Sequence, residues 1–169
     1  MINLMRKLVL MCVVLVGWGW GTAQALDAPK NKVVLTVGGQ LGQTNKGTTA
    51  VFDMAMLEKL PQNTFTTKTP WDNKPVQFSG PLLRDLLDAV QAKGTAIKAI
   101  ALNDYKISIP AEDARKFGVV VALKMDGKAI PVRTKGPLFI VYPFDSAKEL
   151  QAATYYERSI WQLKAIDIE

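Results

Sequence analysis

The sequence predicts an α+β domain with more strand than helix. Three observations carry that reading. Short β-branched or apolar runs recur at residues 33–37, 96–102, 119–125 and 138–142. Asp126-Gly127 lies between two such runs and is a two-residue hairpin signal. One segment has helical periodicity instead: Leu82, Leu83, Leu86, Leu87 and Val90 form an apolar stripe, with Arg84, Asp85, Asp88 and Gln91 opposite.

The elements follow in order. Residues 33–37 read as a strand ending at Gly38-Gly39, and residues 40–49 as a polar loop. Thr49 is placed to cap a helix over residues 51–60, stopped by Pro61. The Thr-rich residues 63–69 read as a strand, and residues 70–75 as an irregular, proline-flanked loop. Ser79-Gly80-Pro81 reads as the start of the periodic helix, with Gly94 its stop. Residues 96–102 and 106–109 form a strand pair around Asn103-Asp104-Tyr105. Pro110 opens a short helix over residues 111–117, with Glu112 and Asp113 in its first turn. Residues 119–125 and 128–132 flank the hairpin turn. Residues 133–137 form a basic loop, 138–142 an apolar strand, and 160–168 a closing strand. Residues 143–157 are mixed and polar, with little periodicity.

The N-terminus reads as a secretory signal. Arg6 and Lys7 precede an apolar run over residues 8–16, and Ala23-Gln24-Ala25 is a small-x-small cleavage site. The run is too short for a lasting membrane span. Cleavage after Ala25 leaves a short linker, residues 26–32, and a single domain over residues 33–169 in the periplasm. It also lowers the formal net charge of +6 by two. The remaining Lys and Arg are scattered, which argues against nucleic acid as a partner.

The chain has no histidine, and its one cysteine, Cys12, lies in the signal segment. The exported domain therefore lacks the side chains that most often bind metals, act as nucleophiles or shuttle protons near neutral pH. Disulfides cannot hold it either. The chemistry left belongs to carboxylates, Lys, Tyr, Ser and Thr. Asp85 and Asp88 lie opposite the apolar stripe and read as a solvated face. Asp104-Tyr105 could place a phenol and a carboxylate at a cleft edge, or form a plain turn. Arg133 and Lys135 flank a Gly-Pro turn, either as an anion site or as a solvated loop. Trp71 could bind a ligand or cover the end of the core. Met54 and Met56 read as packing residues, and Gly38-Gly39 with Gly42 does not have phosphate-loop spacing.

An ordered series of segments resembles one family. It runs through Thr69-Pro70-Trp71, Phe78-Ser79-Gly80-Pro81-Leu82-Leu83-Arg84-Asp85-Leu86-Leu87, Ala101-Leu102-Asn103-Asp104-Tyr105 and Ile109-Pro110. It continues through Ala122-Leu123-Lys124-Met125-Asp126-Gly127-Lys128, Lys135-Gly136-Pro137-Leu138-Phe139-Ile140-Val141-Tyr142-Pro143 and Arg158-Ser159-Ile160-Trp161-Gln162-Leu163. Together these resemble the oxidoreductase molybdopterin-binding domain, the fold of sulfite oxidase, and in particular its small exported bacterial members. The resemblance covers roughly residues 33–169. It implies a cleft for a molybdenum cofactor, a pterin bearing a phosphate, whose metal is held by a protein thiolate. The equivalent of that cysteine is Thr66 or Thr67, and a threonine hydroxyl is a poor substitute for a soft thiolate. Phe139 stands near the position of the family's cofactor-gripping arginine, and the histidines that often hold the pterin have no counterpart.

The expectation is therefore a periplasmic, non-catalytic domain that keeps the family's cleft for a small anionic ligand or a periplasmic or membrane signalling protein. It would act as a sensor or accessory protein, with no cofactor. The candidate cleft residues are Thr67, Trp71, Asn103, Asp104, Tyr105, Arg133, Lys135 and Tyr142. Arg133 and Lys135 would hold the anion, and Trp71 or Tyr105 would pack on it. Two alternatives stand beside this reading: a molybdopterin-dependent oxidoreductase with a cysteine-free site, and a structural module of a signalling or redox complex.

Overall fold

The computed structural model describes residues 26–169; the predicted signal segment, with Cys12, lies outside the described residues. The first strand, β1 (Val33–Gly39), turns Leu35 and Val37 into the core. Its antiparallel neighbour is β2 (Ala50–Asp53), buried along its whole length. The helix expected over residues 51–60 is thus a strand followed by a shorter helix, α1 (Met54–Lys59). The edge of β1 satisfies the backbone of Val51 and Phe52, two residues suited to strands. Asp53, not Thr49, is the cap: its Oδ1 accepts from the Met56 N–H at 2.9 Å, while Thr49 donates to the Lys46 carbonyl.

β3 (Gln62–Thr67) and β4 (Val76–Pro81) pair antiparallel across the Trp71 loop. Ser79-Gly80-Pro81 belongs to β4 and does not open the helix, which is α2 (Leu83–Ala89). The stripe behaves as its spacing predicts, with Leu83, Leu86 and Leu87 buried. β5 (Ala96–Ala101) alternates strictly, with Ile97, Ala99 and Ala101 inward. It pairs antiparallel with β6 (Lys106–Pro110), which leads into α3 (Ala111–Lys116).

The run at 119–125 divides into β7 (Val120–Ala122) and β8 (Lys124–Met125), and only β8 pairs with β9 (Lys128–Ala129). Asp126 and Gly127 both have positive φ, the conformation that the hairpin signal demands. β10 (Phe139–Val141) is buried along its whole length and pairs with β7. The segment that showed no periodicity holds two 3₁₀ turns, Phe144–Ser146 and Lys148–Gln151, and then α4 (Ala153–Arg158). β11 (Leu163–Ile168) closes the chain.

The strands form three sheets: β2-β1-β11-β5-β6, β10-β7, and β3-β4-β8-β9. Among the described residues, only the β1–β11 pair is parallel. The short β10-β7 sheet has no polar face, which is what a strand pair enclosed on both sides requires. Phe78, Leu83, Leu86, Ile97, Phe139 and Tyr142 are among the fully buried side chains of one continuous core. Among the described residues, no helix is long and apolar enough to cross a membrane.

Candidate functional site

Where the β5–β6 turn, the Trp71 loop and the end of α4 meet, they enclose an open cavity of about 390 Å³. Each wall has a local cause. The β5–β6 turn is held by the Ala101 N–H to the Tyr105 carbonyl at 2.9 Å and the Asp104 N–H to the Ala101 carbonyl at 3.0 Å. Asp104 takes positive φ, and the Asn103 side-chain oxygen accepts from the Tyr105 N–H at 3.1 Å. This turn carries Ala101, Asn103 and the half-exposed Tyr105 into the cavity wall.

The opposite wall comes from Tyr156 and Glu157 on α4 and from Ser159, Ile160 and Trp161 after it. Gln162 orients that turn from a left-handed backbone conformation that is uncommon away from glycine. Its backbone N–H donates to the Lys135 carbonyl at 2.9 Å and its side-chain amide to the Val132 carbonyl at 2.7 Å. Its own carbonyl accepts from the Leu102 N–H at 2.8 Å. The basic loop and the β5–β6 turn therefore converge on one residue and fix Trp161 beside the cavity.

Trp71 forms the floor. Its ring meets Phe139, Phe144 and Tyr156 at centroid distances of 6.0, 6.0 and 6.1 Å, and Trp161 at 5.4 Å. These are the tilted and edge-to-face contacts that aromatic quadrupoles favour. The loop is pinned by Asp72, which takes 2.8 and 2.7 Å contacts from the Lys135 ammonium and 2.8 Å from the Thr69 hydroxyl. Burial raises the Asp72 pKa, but the Lys135 and Thr69 hydrogen bonds outweigh it and hold the carboxyl below its ordinary value.

Of the eight residues expected in the cleft, Trp71, Asn103 and Tyr105 line the cavity. Asp104 turns outward to Lys164 at 2.6 Å, and that hydrogen bond holds its carboxyl below the usual range. Thr67 is buried, and its hydroxyl accepts from the Asp145 N–H at 3.0 Å. Tyr142 is a core residue with no exposed surface, donating to Asp113 at 2.7 Å. Burial first, and then that carboxylate, push its phenol far above the usual range. Lys135 is engaged by Asp72, and the exposed Arg133 is not a cavity residue, so the two do not form the expected anion grip.

Sequence reasoning missed Tyr156, Glu157, Ser159, Ile160 and Trp161. The available signal was aromatic density: Tyr155, Tyr156 and Trp161 stand within seven residues of an otherwise polar stretch.

The model of the oxidoreductase molybdopterin-binding domain matches residues 25–155, most of the chain. The chain belongs to that family. No curated protein matches it significantly. The molybdopterin-binding fold thus explains the mixed sheets with a few short helices. Its cofactor is a separate question, decided by the donors present. The described residues contain neither Cys nor His, and no group of three or more carboxylates, His or Cys among them is placed to hold a metal. Of the two candidate ligand positions, Thr66 is exposed on β3 and Thr67 is buried, and either offers only a hard hydroxyl oxygen. Among the described residues, no Lys or Arg lines the cavity to receive a phosphate, and its only charged residue is the anion Glu157. These side chains do not fit a thiolate-ligated molybdopterin.

Proposed function

We propose that this member of the molybdopterin-binding family is an exported, non-catalytic accessory or sensor domain that binds a small molecule in the cavity bounded by Trp71 and Trp161. One observation carries the reading: the fold has an open cavity of about 390 Å³ whose described walls are four aromatic side chains with Ala101, Asn103, Glu157, Ser159 and Ile160, and no thiolate or imidazole. That volume lies within the usual range for small-molecule sites, as does a largely apolar lining with a few polar groups. Asn103 and Ser159 supply hydrogen-bonding groups, and the rings supply area at low entropy cost. Fold membership alone does not assign redox chemistry.

Two measurements test this. The protein is purified from the periplasm of a host that makes molybdopterin, and its N-terminus, metal and pterin content are determined. The expected result is a chain starting at Leu26 with neither molybdenum nor pterin. Stoichiometric molybdenum would overturn the non-catalytic reading in favour of an oxidoreductase. Thermal stabilisation is then screened against small molecules, with Trp161→Ala as the control. Ligands that raise Tm only in the wild type support a cavity site. Stabilisation that ignores Trp161 would sink it.

A further inference from the structure

The character of the cavity walls specifies the ligand more closely. We infer that the site selects a small organic cation, of the quaternary or aromatic ammonium class; this rests on reading the cavity as a ligand site.

Four aromatic side chains, Trp71, Tyr105, Tyr156 and Trp161, line the cavity. Trp161 lies at 85° to Trp71 and Tyr156 at 78°. Tyr105, half exposed on the β5–β6 turn, contributes to the cavity from a different element. Several electron-rich rings at large mutual angles around one space can attract a cation that has shed part of its water. A neutral ligand gains only the area term from the same rings.

Charge points the same way. Glu157 is the only charged residue of the cavity wall, and it is exposed. Among the described residues it forms no ion pair. Three cations of the neighbouring segments are held by other carboxylates, Lys135 by Asp72, Lys164 by Asp104 and Arg158 by Asp113, and Lys106, beside Tyr105, acts on Asp104 from outside the wall. A cationic ligand would therefore find an unshared carboxylate and no competing ammonium in the wall. An anionic ligand would meet Glu157 without a compensating cation. Asn103 could orient a polar tail, since its side-chain oxygen is used within the turn and its amide N–H groups remain.

The test is calorimetric titration of the protein purified from the periplasm with choline, with choline's uncharged tert-butyl analogue, and with indole as a neutral aromatic probe. Choline is expected to bind at least about tenfold more tightly than the analogue. Glu157→Gln should weaken choline about fivefold and leave the analogue unchanged. Glu157 is exposed, so this variant reports charge without disturbing the core. Equal binding of choline and its analogue, or no choline binding, overturns the inference. If indole still binds in a Trp161-dependent way, the cavity reading survives that result; if indole fails as well, both fall.

Discussion

Lys135 Nζ reaches both carboxylate oxygens of Asp72, at 2.8 and 2.7 Å, across 63 residues of sequence. The contact turns a cation expected to hold a ligand into an internal strut. It ties the basic loop to the Trp71 loop, and Gln162 ties the same basic loop to the turn carrying Trp161. The position of the two tryptophans thus depends on a pair whose lysine is remote from both in sequence. Lys135→Met should cost about 1 kcal/mol, since both partners are largely but not fully buried. It should also change tryptophan fluorescence before global unfolding. Urea unfolding followed in parallel by fluorescence and circular dichroism checks both effects.

The same pair gives a pH dependence with a defined sign. Asp72 titrates below its ordinary value of about 3.9 in the folded state, because its hydrogen bonds outweigh burial. Asp53 is also lowered, first by the Met56 N–H; burial opposes the shift, and the Asn31 and Lys30 N–H groups add to it. A carboxyl lowered on folding stabilises the protein above its unfolded pKa and loses that contribution as pH falls through the folded one. Stability should therefore hold steady above about pH 5 and decline below about pH 4. Asp72→Asn should be less stable at neutral pH and lose less on acidification. Urea midpoints measured across that range decide it; an equally steep acid limb in the variant would remove Asp72 as a cause.

A second internal group lies under α4. Asp113 accepts 2.7 Å from the Tyr142 hydroxyl and 2.8 Å from Arg158, both at Oδ2. Tyr142→Phe removes one hydrogen bond and leaves the ion pair, so about 1 kcal/mol is expected. Asp113→Ala strands a buried hydroxyl and a mostly buried guanidinium, and about 3–5 kcal/mol is expected. The Tyr142 phenol should not ionise before the protein unfolds in alkali. A phenolate absorbance titration run beside circular dichroism would show the two transitions together.

The contrast between Tyr142 and Tyr105 shows what could be read in the sequence. The α2 stripe, the alternation in β5 and the Asp126-Gly127 turn are local patterns, and the fold repeats them. The cavity is assembled from residues about 30 to 90 positions apart, and no local pattern records that. Tyr105, in a polar turn, had a readable position at the cavity edge. Tyr142, at the end of an apolar run, is buried because Asp113 supplies a partner for its hydroxyl from another helix. Lys135 was read as free because Asp72 lies so far away in sequence. Glu157 was missed because its place in the cavity wall is set by segments distant in sequence rather than by the residues beside it.

Gly80 marks another non-local constraint. A Cβ there would stand 2.0 Å from the Val121 carbonyl oxygen and 2.9 Å from its carbon. The Leu123 N–H to Ser79 carbonyl bond at 2.8 Å holds the two segments at this closeness. Ser79-Gly80-Pro81 therefore remains extended beside β7, and the helix waits until Leu83. The obstruction is backbone, so a rotamer change cannot relieve it. Gly80→Ala should cost at least about 1–3 kcal/mol. A Gly80→Ala variant as stable as the wild type in chemical denaturation would show that the glycine is not required for close approach.

Thr67 gives the most direct test of whether one missing thiol explains the site. Its hydroxyl accepts from the Asp145 N–H at 3.0 Å, bridging β3 to the first 3₁₀ turn. Thr67→Val should cost about 1 kcal/mol, because an N–H loses its acceptor. Thr67→Cys places sulfur where it faces that same N–H and not the cavity. It also leaves the cavity wall without a cation for a pterin phosphate. The Cys variant, made in a host that synthesises molybdopterin, should therefore carry no more molybdenum than the wild type. Stoichiometric molybdenum in the variant alone would mean that this side chain can turn into the cleft and that a single substitution separates the domain from a metal-binding member of its family.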